Sequence, residues 1–135
     1  MKASQRLIRI LWVLWAGSLW SLLWVAAIVF HFQHDKHVAG LIAASLFSIE
    51  TYLGLALGAL ALLSRSRGRC RLAFFAVGLL SFNEWALKPI MEAARTRGSA
   101  LGLGFGPWHG VSALLYVLAC LFVAVMLYQD EGSHA

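Results

Sequence analysis

The stretch LIRILWVLWAGSLWSLLWVAAIVF, residues Leu7–Phe30, decides the fold. It runs for about 24 residues, and ~20 apolar residues suffice to cross a bilayer as a helix. Lys2, Arg6 and Arg9 stand at its start. A cationic start before an apolar run also describes a secretory signal. This run is too long for a signal core, carries the bulky Trp12, Trp15, Trp20 and Trp24, and closes on no small-residue cleavage site. It reads as a retained membrane helix.

Three further runs repeat the pattern, at residues 38–63, 72–94 and 107–128. Each is long enough for a hydrocarbon core of ~30 Å. In lipid a backbone pairs its polar groups within a helix or within a closed barrel, and none of these runs shows the ten-residue alternation of barrel strands. The expected fold is all-α: a four-helix transmembrane bundle, up-down-up-down, in one integral membrane domain over residues 1–135. Short loops at about 31–37, 64–71 and 95–106 make sequential helices antiparallel neighbours. Gly98, Gly102, Gly104 and Gly106 predict a flexible third loop.

Composition agrees. Of 135 residues, 61% are hydrophobic and 13% charged, where a soluble domain carries ~25% charge. So small a protein has too little interior to hide that much apolar surface from water. The net charge of +5 sits at the ends of apolar runs, as the positive-inside rule expects, and no fold that reads nucleic acid fits them. Lys2, Arg6, Arg9, Arg65, Arg67, Arg69 and Arg71 fall on one side, against Lys36, Arg95 and Arg97 on the other. Both termini are therefore expected in the cytoplasm. Cys70 reads as a loop thiol and Cys120 as a packing thiol, with no disulfide. Gly54 and Gly58 form a G-x-x-x-G pair whose simplest use is close packing inside the bundle.

Ionisable side chains at mid-membrane are costly and mark candidate functional positions. Glu50 lies ~18 Å from the outer face along the second span, and Glu84 a similar distance from the inner face along the third. Ser45, Ser48 and Thr51 surround Glu50 in sequence, and Asn83 adjoins Glu84. Glu84, Lys88 and Glu92 are spaced four apart, so Lys88 can pair with either carboxylate. Pro89 removes the donor for the carbonyl of Trp85 and predicts a kink, with the freed carbonyl left to Asn83 or a water. The polar intramembrane cluster is thus Glu50, Asn83, Glu84, Lys88, His109 and Ser112. One reading makes it an internal adhesive between helices; the other makes it a polar path or pocket.

His31, His34 and His37 flank the first outer loop, and His109 opens the fourth span on the same side. Neutral imidazole suits zinc, copper or haem iron. His31 and His109 are the candidate ligands for such a metal, beside the plainer reading of interfacial histidines. No hydrolase, zinc-protease or phosphate-cradling motif occurs, and no acid, base and nucleophile converge. We expect no enzyme, and the residues name no cofactor.

Four segments in order carry a resemblance: Gly17-Ser18-Leu19-Trp20, the run His37 to Phe47, Asn83-Glu84-Trp85-Ala86-Leu87-Lys88-Pro89, and Trp108-His109-Gly110-Val111-Ser112. Together they resemble the family of transmembrane protein 205, known in bacteria as domain of unknown function 4149. The resemblance covers most of the chain. Gly40, Leu46, Phe47, Asn83, Pro89, His109, Gly110 and Ser112 match the family's pattern; Glu50 and Glu84 do not. It implies a four-helix membrane protein, in bacteria an inner-membrane one. One relative is linked to resistance to platinum drugs and to vesicle traffic, so it also implies handling of metals or small-molecule toxicants. The expected role is a small transport or export component of unknown substrate. Four spans are few for a transporter, which points to a homo-oligomer in the lipid bilayer. A histidine metal or haem site and a purely structural or assembly partner are the alternatives.

Overall fold

The computed structural model describes residues 2–62 and 67–132. Residues 63–66, with Arg65, lie outside the described residues. The chain forms α1 (Lys2–Phe32), α2 (Lys36–Leu62), α3 (Arg67–Phe82), a π-helical turn (Asn83–Leu87), α4 (Lys88–Arg97) and α5 (Phe105–Gly132). α3, the π turn and α4 together make one span, so four helical spans are long and apolar enough to cross a membrane. The protein is an all-α, multi-pass membrane bundle, and the described residues contain no sheet.

The helices outrun their apolar cores, because a helix that leaves the bilayer continues through its polar ends wherever local residues permit. Arg67, Arg69, Cys70 and Arg71, expected in a loop, occupy the first turns of α3. At the other end Asp35 caps α2: its carboxylate accepts the N–H of His37 at 2.8 Å and of Val38 at 3.3 Å.

Neighbours in space follow neighbours in sequence. α2 packs on α1 and α3, and α5 closes the ring by packing on α3 and α1. The end that carries both termini holds the tight core. Trp15, Leu19, Leu80, Cys120, Val123 and Met126 are fully buried there. Neither Cys70 nor Cys120 is in a disulfide. Gly54 and Gly58 serve this core: a Cβ on Gly58 would collide with Val77 Cγ2, and one on Gly54 would meet Leu80 at 3.1 Å and Trp15 at 3.3 Å. The glycine pair is used within the bundle.

The third connection is built rather than loose. Gly98 ends α4 in the left-handed region (φ 84°). Ala100 and Leu103 then exchange N–H···O bonds of 2.8 and 3.1 Å around Leu101 and Gly102, both with positive φ. Two such residues make the tight hairpin turn. The indole of Trp108 pins it, donating to Ala100 O at 2.9 Å. Of the four glycines expected to loosen this connection, Gly98 and Gly102 take the positive φ that its turns need, and Gly106 lies inside α5.

Candidate functional site: a polar belt and its cavity

The site begins with Pro89. It has no N–H for the carbonyl of Trp85, and just before it the chain leaves the α pattern: Lys88 N–H bonds Asn83 O, five residues back. Asn83 does not return to the freed carbonyl as the sequence suggested. Its amide turns to α5, donating from Nδ2 to Ser112 O at 3.2 Å and accepting from Ser112 Oγ at 2.6 Å.

Glu84, next in sequence, faces α2. Lys88 Nζ donates to Glu84 Oε1 at 2.7 Å and to Ser48 Oγ at 2.5 Å, and Ser48 Oγ lies 2.8 Å from the same carboxylate oxygen. Glu92 takes no part. It pairs with Arg95 at 2.7 Å, on the exposed end of α4. Glu50 is buried at 6% exposure and takes its bond from α1, from Ser18 Oγ at 2.9 Å. Tyr116 of α5 donates to the carbonyl of Leu19 at 3.0 Å.

These bonds form a belt. Ser18 to Glu50 joins α1 and α2, Ser48 to Glu84 and Lys88 joins α2 to the third span, Asn83 to Ser112 joins that span to α5, and Tyr116 to Leu19 returns to α1. On each span the participants lie within about one turn of each other. Every neighbouring pair of spans is thus tied by at least one side-chain hydrogen bond near its middle. Interhelical bonds of this kind contribute ~0.6 kcal/mol each on average.

Beside the belt lies a cavity of about 60 Å³ between α2, the third span and α5. Asn83, Glu84, Lys88, Ser112, Thr51 and Tyr116 supply its polar lining, and Ala44, Phe47, Leu80 and Met91 its apolar wall. The volume is well above the roughly 10–15 Å³ that a cavity needs to hold a water.

The structure therefore divides the residues that sequence had grouped. Asn83, Glu84, Lys88 and Ser112 share one cavity. Glu50 sits one seam away, tied to Ser18. His109 is exposed, its ring stacked on Phe105 at 5.6 Å. His31 is exposed and packs edge-on against Phe32 at 5.0 Å, while His37 Nδ1 lies 3.4 Å from Arg95 Nη1. Among the described residues no group of three or more His, Cys, Asp or Glu side chains is placed to hold a metal. Sequence reasoning missed Ser18 and Tyr116. A lone hydroxyl in mid-span is a usable signal for both, since a polar group in lipid needs a partner.

No curated protein and no solved structure matches this chain. A family match runs from within α1 to just past α4, hence over Ser18, Ser48, Glu50, Asn83, Glu84 and Lys88, and stops short of Ser112 and Tyr116. Residues 10–100, more than half of the chain, fit the family model described as Domain of unknown function (DUF4149), and the chain belongs to that family.

Proposed function

We propose that this protein is a small transport or export component of the bacterial inner membrane, with both termini in the cytoplasm, working as a homo-oligomer. The observation that carries the reading is the mid-span cavity, where a carboxylate, an ammonium and an amide converge inside an otherwise apolar bundle. Binding sites are commonly apolar concavities with a few convergent polar groups. The likeness to transmembrane protein 205 supports a cargo among metals or small-molecule toxicants.

The test is accumulation of a panel of metal salts and small toxicants in cells carrying the wild-type chain, Asn83→Ala, or Glu84→Gln with Lys88→Met, at equal membrane insertion. The wild type lowers accumulation of at least one compound and the cavity variants lose that effect. Unchanged accumulation across the panel removes the reading.

The belt favours one other function, a structural or assembly partner, because its polar groups satisfy one another across all four seams. On that reading Asn83→Ala loses thermal stability in detergent and none of these variants changes accumulation.

A further inference from the structure

We infer that the cavity takes the neutral polar head of a single-chain amphiphile, admitted sideways from the bilayer between α2 and α4. The inference rests on the transport reading and names its substrate class.

The first observation is the seam. Past the π turn and Pro89, α4 packs on α5. Among the described residues no Cα of α4 comes within 8 Å of one in α2. The side-chain ties across the gap are polar: Lys88 to Ser48, and Arg95 to His37. The pairs α1–α2, α2–α3, α3–α5, α4–α5 and α1–α5 all bring Cα atoms within 8 Å of each other. Lys88 is 40% exposed at the mouth while Glu84, behind it, is 12% exposed.

The second observation is size. Room for a few waters accepts a head of a few heavy atoms. The rest of any larger ligand must lie outside, and the seam leads to lipid.

The third is charge and valence. Glu84 and Lys88 already neutralise each other, so a charged head would leave an uncompensated charge in a low-dielectric site. Both partners of Glu84 engage Oε1, which leaves Oε2 to accept. Asn83 keeps a second amide proton and Lys88 a third ammonium proton to donate. A hydroxyl or primary amide satisfies such a set, and Phe47 and Met91 offer apolar contact to the first carbons of its tail.

The experiment uses the full chain in lipid nanodiscs and a dodecanamide carrying a diazirine near its head. Photolabelling, mapped by mass spectrometry, is expected to saturate on Phe47, Leu80 and Met91. Dodecanamide and 1-dodecanol displace it; dodecyltrimethylammonium and dodecylsulfonate do so at least about tenfold less well. Ala44→Phe, which fills the cavity from α2, abolishes it. Labels scattered over lipid-facing residues such as Trp24 and Phe74, or displacement by dodecane or the charged amphiphiles as effective as by dodecanamide, overturn the inference. These competitions are read on the wild-type chain, so a misfolded variant does not blunt them. Saturable labelling without any export phenotype leaves the site standing and removes transport. Export with diffuse labelling removes the amphiphile alone.

Discussion

Asn83 and Ser112 hold each other through two hydrogen bonds across the seam between the third span and α5. Asn83→Ala should cost about 1 kcal/mol, within the range measured for interhelical bonds in membranes. A double-mutant cycle with Ser112→Ala, read by thermal unfolding in detergent, should return most of that as coupling; additive losses would mean that the two do not act together. Lys88→Met alone should cost ~1–2 kcal/mol, because it strands the carboxylate of Glu84. Full burial would cost more, and Lys88 is part-exposed. Adding Glu84→Gln should restore most of the loss in the same assay. The Glu84–Lys88 pair was legible from sequence because an i,i+4 spacing fixes the geometry within one helix. The partner of Asn83 was not, since a helical period says which residues share a face and leaves open which neighbour meets that face. The same gap hid Ser18 from Glu50, 32 positions away, and the Tyr116 hydroxyl from Leu19.

The spans themselves were plain, because ~20 apolar residues in lipid leave the backbone few alternatives. Their ends were harder: polar residues such as Arg67 and Arg71 sit equally well in a loop or on a helix that has left the hydrocarbon. The π turn was beyond sequence, since Pro89 forbids one hydrogen bond without specifying what replaces it. Two elements carry testable strain or closeness. Gly58→Ala drives a methyl into Val77 and should destabilise by about 1–3 kcal/mol in detergent unfolding, with Val77→Ala restoring stability in the double variant. If Gly58→Ala instead changes only oligomer size, the glycine face works between copies. Leu101 holds φ 51° in the hairpin turn, which costs a side-chain-bearing residue ~1–2 kcal/mol. Leu101→Gly should therefore raise the unfolding temperature, and a fall would show that the exposed leucine contributes more through the headgroups than the turn loses.

At the scale of the whole molecule, the positive-inside rule predicts that the cations of α1 and α3 face the cytoplasm. Alkaline phosphatase fused at His34 or Ser99 should be active outside the cytoplasm, and inactive when fused after Gly132. The opposite pattern would invert the assignment of every face. The belt also bears on how such a chain can be made. A carboxylate entering lipid with no companion costs a few kcal/mol. During synthesis the spans emerge in order, so each charged group needs its companion at or before its own arrival. Glu50 finds Ser18 on the span already delivered. Glu84 brings Lys88 on its own helix and meets Ser48 on the preceding one. The bonds that wait for the last helix involve an amide, two hydroxyls and two peptide carbonyls, all uncharged. The ribosome's vectorial output and the membrane's intolerance of naked charge are thus reconciled by the order in which the partners are written along the gene.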